Sequence, residues 1–257
     1  MNKIAHFIVF SALAVTAFTA CKGAKSSASA ETSAPQIVGP AFQADSAYAF
    51  CAKQCEFGPR TMNSEAHENC RQWIVDKFRS YGMEVEEQKK DLKGWDGTML
   101  RSTNIIARFK PDAEQRILLC AHWDCRPWAD NDPDKNNWHT PVMGANDGAS
   151  GVAVMIEIAR LLQEDTTLNY GIDFVCFDAE DYGTPQWEEN QENSESTWAL
   201  GAQEWARQIA ASAPKDADGN ITDLAVSTAI DEVKNGFSLT SENKKLHSIS
   251  ISDKKNP

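Results

Sequence analysis

Hydrophobic and polar positions divide the chain into alternating helical and extended segments. Residues 41–56 carry Ala44, Ala47, Ala49, Phe50 and Cys51 in a helical pattern, closed by Gly58-Pro59. A second helix is predicted to start at Asn63 or Ser64, either of which can cap it. It aligns Cys70, Trp73, Ile74, Phe78 and Tyr81 on one face and stops at Gly82. Met83-Glu-Val85-Glu alternates like a half-exposed strand, and Lys93–Gly97 reads as a turn. Asn104–Phe109 is a strand. Arg116–Ala121 is a near-continuous apolar run of the kind buried on both faces. Gly148–Leu162 is a helix with Val152, Ala153, Ile156, Ala159 and Leu162 on one side. Ile172–Phe177 is another buried strand. A helix from Trp198 to Ala211, capped by Ser196 or Thr197, follows.

Helices, then strands, then strand–helix–strand–helix predict an α/β domain. Its three layers are a mixed, mostly parallel central sheet and flanking helices. Ligands in such sheets collect beyond the carboxyl ends of strands. His122 and Asp124 stand at one such end, and Glu180 and Asp181 at the next. The polar loop 123–146 between them is long enough to be functional.

Composition narrows the reading. The chain has 257 residues, 42% of them hydrophobic, enough for one domain with a real core. A formal charge of −12 offers no electrostatic footprint for nucleic acid. Residues 1–20 have a basic start at Lys3 and an apolar stretch too short for a confident membrane span, as in an export signal. Small residues before Cys21 resemble a bacterial lipoprotein box, with Phe18 departing from the usual aliphatic residue. The alternative is plain export with ordinary cleavage. Residues 21–40 would then be a lipid-anchored tether, 41–211 the folded domain and 212–257 a divergent tail. This places the protein in the bacterial cell envelope, attached to the membrane and facing the periplasm or exterior. Beyond Cys21, Cys51, Cys55, Cys70, Cys120, Cys125 and Cys176 are an even set compatible with disulfides. Cys120 and Cys176 can equally be packed thiols.

Zinc takes imidazole and carboxylate ligands and, where catalytic, keeps a position open. His122, Asp147 and Asp181 are the candidate ligands, with Glu180 beside them for general acid–base work. Singly, each has a plainer reading. His122 can be a core histidine and Asp124 its partner. Asp147 can cap a helix, and Glu180-Asp181 can be a solvated loop. Asp130, Asp132 and Asp134 imitate the start of a calcium loop, but Lys135 and Pro141 occupy positions that require Gly and Glu. Trp123, Trp128, Trp138, Trp187 and Trp198 lie in or beside the two loops, where they can wall a pocket or simply pack the loops.

The segments HWD at 122–124, GANDGASGVAVMIEIARLL at 144–162, FDAEDYGTP at 177–185 and LGAQEWA at 200–206 resemble the zinc aminopeptidase superfamily, most closely its glutaminyl cyclase branch. The likeness runs from about residue 41 to 207. It implies Asp147 and Asp181 as zinc ligands and Glu180 as the general acid–base. In two-metal aminopeptidases His122 would be a ligand with Asp124 orienting it; in one-metal cyclases His122 would line the site. The implied activity is formation of N-terminal pyroglutamate on peptides or proteins with release of ammonia, using one zinc. The alternative is hydrolysis of N-terminal residues, using two. Residues 208–257 do not resemble the region where the family places another catalytic or metal-binding Asp and a final His ligand; His247 stands in different surroundings. The C-terminal strands are therefore expected to be missing, and an inactive or truncated relative is the third reading. Thr222–Lys234 is expected as a helix and Leu246–Ser252 as a short strand.

Overall fold

A computed structural model describes residues 39–164, 167–212 and 249–250. The export signal, Cys21, most of the tether, the helix expected over 222–234 and His247 lie outside the described residues.

The first helix, α1 (Ala44–Glu56), follows the predicted pattern. In α2 (Glu65–Ser80) the Ser64 hydroxyl accepts from the His67 amide at 3.1 Å, and Glu65 and Glu68 oppose Lys77 and Arg79 along the helix dipole. Cys70, Ile74 and Phe78 from the predicted face are fully buried.

β1 (Glu84–Lys93) pairs antiparallel with β2 (Met99–Phe109) over ten residues. Both strands are longer than expected. β1 is an edge strand dense in Glu and Lys, so its inner half shows no apolar alternation, and the charges protect the edge from further pairing. β3 (Arg116–His122) lies parallel to β4 (Gly171–Phe177), and β4 is also antiparallel to β2. A two-residue strand, β5 (Ile249–Ser250), runs parallel to β3 at Leu119 and Cys120. The sheet is mixed, in the order β1-β2-β4-β3-β5.

α2 and α3 (Ser150–Leu162) cover one sheet face, where Ile74, Phe78, Val152 and Ile156 meet Ile105 and Phe174. α4 (Leu200–Ser212) covers the other through Ala202, Trp205 and Ala206, packed on Ile106, Val175 and Phe177. This is the expected three-layer arrangement. The cap predicted for α4 is replaced by other bonds. Thr197 Oγ1 accepts from the Thr184 amide at 2.9 Å, and Ser196 Oγ donates to the Asn193 carbonyl at 2.7 Å.

Cys51, Cys55, Cys70, Cys125 and Cys176 are free thiols. Burial pushes Cys70 and Cys125 up to about 12 and Cys176 higher still, so these three are packed and protonated. Among the described residues no helix is long and apolar enough to cross a membrane.

Candidate functional site

Parallel pairing sets the site. His122, the last residue of β3, is in register with Phe177, the last of β4, and the Trp123 amide donates to the Phe177 carbonyl at 3.0 Å. The chain leaving β3 therefore runs beside Asp178–Asp181 leaving β4. Asp124 joins the two exits. It is fully buried, and its carboxylate accepts from the Glu180 and Asp181 amides, both at 3.1 Å. These bonds make Asp124 the clamp on the two acids as well as a neighbour of His122, whose Nδ1 is 3.4 Å from Asp124 Oδ1.

Asp147 arrives on an irregular turn, Ala145–Ala149. Asp147 is extended (φ −89°, ψ 110°) and Gly148 has φ 95°. That conformation favours glycine, and a Cβ there would also stand 2.5 Å from the Asp124 carbonyl oxygen. α3 begins only at Ser150, after Ala149, without a side-chain cap in that position. The turn directs Asp147 at β3, where its Oδ1 is 2.8 Å from His122 Nε2.

The result brings the predicted residues together. Donor atoms of His122, Asp147 and Asp181 all lie within 4.8 Å of one another, and Glu180 Oε2 is 3.9 Å from His122 Nδ1. The Asp147 side chain is 61% exposed and that of Glu180 34%, so the cluster is open to solvent on one side. Burial raises the Asp181 carboxyl well above its usual range, and the nearby Glu180, Asp124 and Asp147 carboxylates add to the rise against His122. Burial also raises Glu180, opposed by His122 and reinforced by Asp124 and Asp147. Burial opposes the His122 charge, but Asp124, Asp147 and Glu180 hold its pKa well above the usual imidazole range. Among the described residues His122 Nδ1 is buried without a hydrogen-bond partner. Four carboxylates crowd one imidazole, so a divalent cation would relieve their repulsion. One nitrogen and two oxygen donors with an open side fit zinc.

Supporting residues escaped the sequence reading. Asp178 is fully buried and accepts from His67 Nε2 at 2.8 Å and the Thr103 amide at 2.6 Å. Ala179 takes a left-handed φ of 50° between Asp178 and Glu180, a strained position fixed when the Ala199 and Leu200 amides donate to the Glu180 and Ala179 carbonyls. Asp130 is the buried partner of Arg126, with Nε–Oδ1 and Nη2–Oδ2 both at 2.5 Å. Arg126 Nη1 in turn donates to the Asp181 carbonyl at 3.0 Å. Asp132 and Asp134 accept hydrogen bonds within their own loop. These partners are far apart in sequence or sit in motifs with local readings, so no spacing marks them.

The tryptophans divide. Trp123 is fully buried in the core, donates to the Thr103 carbonyl at 3.2 Å and stacks on His67 at 4.2 Å, so it packs the core instead of walling a pocket. Trp198 covers the Arg126 guanidinium at 4.4 Å. Trp128, Trp138 and Trp187 form an aromatic cluster with Trp95 and Tyr182, the latter adjacent to Asp181. Trp95 is a member that loop position did not suggest.

Residues 104–226 match the model of peptidase family M28. The match extends past Arg207, where the motif resemblance ended. The described fold is also that of solved relatives. Glutaminyl cyclase from Bacteroides thetaiotaomicron, crystallised with N-acetylhistamine, is 49% identical with a TM-score of 0.64; 66% of this chain aligns with 57% of that one. A leucine aminopeptidase precursor from the same species is 48% identical, also at 0.64, with 66% of this chain aligned to 58% of that one. The glutaminyl-peptide cyclotransferase of Drosophila melanogaster is 29% identical over 110 residues, 41% of this chain and 27% of the relative. The chain spans less than a third of the curated relatives it matches. Cyclases and zinc-dependent exopeptidases are thus both structural neighbours.

Proposed function

We propose that the protein is a zinc-dependent glutaminyl-peptide cyclotransferase, converting N-terminal glutamine of peptides or proteins to pyroglutamate with release of ammonia. The observation that carries the reading is the placement of Glu180. Its carboxylate stands beside the His122–Asp147–Asp181 cluster, open to solvent, while Asp124 fixes its backbone. Asp147 and Asp181 would hold the metal, and His122 would join them or line the site. A zinc ion held there supplies Lewis acidity toward the substrate γ-carbonyl. The substrate's own α-amine is the nucleophile, already tethered near that carbonyl. Glu180 accepts the amine proton as the new C–N bond forms and returns it to the departing ammonia as the old C–N bond breaks. The aromatic cluster adjoining Asp181 would exclude water from a small N-terminal residue, which suits cyclisation over hydrolysis. Attachment to the cell envelope through Cys21 belongs to the same proposal.

The second reading is an aminopeptidase, favoured by the inclusion of His122 among the clustered donors and by the 48% identical aminopeptidase precursor. A peptide with N-terminal glutamine separates the two. Ammonia without free glutamine supports the cyclase; free glutamine supports the peptidase. Glu180→Gln is expected to cut kcat by about 10²–10⁴-fold while zinc stays bound. A fully active variant would remove Glu180 from its role.

A further inference from the structure

We infer that Arg60 is a positioning residue for the metal site, setting the gap between the segment that carries His122 and the turn that carries Asp147. The inference rests on the metal reading above. Arg60 lies in the loop between α1 and α2, remote in sequence from every candidate ligand, yet it is fully buried. Its guanidinium binds backbone carbonyls from both segments. Nε donates to Trp123 at 3.1 Å, Nη1 to Met143 at 2.9 Å and Nη2 to Gly144 at 2.5 Å. Trp123 separates His122 from Asp124, and Gly144 opens the turn that presents Asp147. The Arg60 carbonyl also accepts from the Cys125 amide at 3.2 Å, so backbone and side chain grip the β3 exit together. Among the described residues Arg60 makes no ion pair; the carbonyl dipoles of the two segments are what accommodate its buried charge.

The fit leaves no slack. Gly144 has φ 62°, and a Cβ there would stand 2.6 Å from Cys125 Cβ and 2.9 Å from Arg60 Nη2. A second group of bonds holds the same turn to α1: Cys51 Sγ donates to the Ala145 carbonyl at 3.2 Å, and Gln54 Nε2 to the Ala149 carbonyl at 2.9 Å. Those two bonds fix the turn against the helix. Arg60 alone of the three bonds also to the β3 exit, so it relates one ligand-bearing segment to the other. A planar fork of fixed geometry suits that task, and a lysine ammonium cannot reproduce it.

The test uses the full chain, freed of metal, as wild type and as Arg60→Met, Arg60→Lys and Ile74→Val. Ile74 is a fully buried α2 residue in the core, and its truncation lowers stability while leaving both segments' bonds in place. Zinc affinity is read by competition with a chromophoric chelator, well below each variant's unfolding temperature. Arg60→Met is expected to weaken zinc by about 10–100-fold, Arg60→Lys by less, and Ile74→Val by under about twofold. Zinc affinity of Arg60→Met within about twofold of wild type, or an equal loss in Ile74→Val, overturns the role. If Arg60→Met does not fold, Arg60→Lys decides on the same criterion. A wild type that binds no zinc sinks the metal reading, and amide hydrogen exchange over 143–149 in the metal-free proteins then decides the positioning claim. Exchange about tenfold faster in the Arg60 variant than in Ile74→Val supports it, and equal rates overturn it.

Discussion

Two buried arginines flank the site and solve the same problem differently. Arg126 serves the Asp181 side and Arg60 the Asp147 side, and each donates to carbonyls near a candidate ligand. Arg126 has a carboxylate partner four residues away, Asp130, and lies between the faces of Trp128 and Trp198 at 5.4 and 4.4 Å. Its charge is neutralised inside its own loop, and the pair then bonds to the Asp181 carbonyl and the Gln186 amide of the next. Arg60 has no such partner among the described residues and depends on carbonyls from two separate segments. The Asp181 side is thus held by local charge pairing, and the Asp147 side by side chains of α1 and the α1–α2 loop that bond to the carbonyls of its turn. The first side should lose stability when a carboxylate is left without its arginine, the second when the guanidinium–carbonyl bonds or a tight backbone position of the turn are lost.

The largest effect is expected on the paired side. Arg126→Met strands the Asp130 carboxylate, which is 1% exposed, and should cost about 3–5 kcal/mol in urea unfolding. The double variant Arg126→Met/Asp130→Leu should be less destabilised than Arg126→Met alone. If it is worse, the pair is not the source of the cost.

On the other side Gly148→Ala leaves every charge in place but adds a methyl 2.5 Å from the Asp124 carbonyl oxygen at φ 95°. Strain of this kind costs about 1–3 kcal/mol, and because the turn must move, zinc binding should weaken along with stability. A stable variant with unaltered zinc affinity would show that Asp147 is not held by this close approach.

The smallest effect probes how α1, which carries Cys51 and Gln54, is tied to α3. Glu157 Oε1 accepts from the Gln43 amide at 3.0 Å, and the hydrogen bonds from Arg160 hold its carboxyl below the usual range. A depressed carboxyl pKa stabilises the fold above the unfolded-state value and loses that contribution as pH falls through the folded-state value. Glu157→Gln should therefore lower Tm by roughly 2 °C near neutral pH. The gap to wild type should close as the pH is brought below the ordinary carboxylate range. A constant gap across that window would mean that the charge contributes nothing.

Much of this arrangement was legible in the chain. β3 and β4 are short apolar runs and α3 has a helical period, and His122, Asp124, Asp147, Glu180 and Asp181 stand at their polar ends. β1 was the hardest element to read, because an edge strand facing water on much of its surface has no need of apolar alternation. Trp123 was misplaced for a related reason. It sits in a polar sequence between two site residues, yet strand alternation turns its ring into the core against His67.

The sequence by itself determined the layers, the carboxyl ends of β3 and β4 and the candidate donors, because apolar patterning and donor chemistry are local properties. The tertiary structure alone decided that Asp124 clamps Glu180 and Asp181, that Asp130 pairs with Arg126, and that Arg60 joins the Trp123 carbonyl to those of Met143 and Gly144. These are hydrogen bonds to main-chain amides and carbonyls or to charges in crowded loops. Every residue offers the same backbone groups, so which of them a buried side chain meets is written only in how the strands and loops come together.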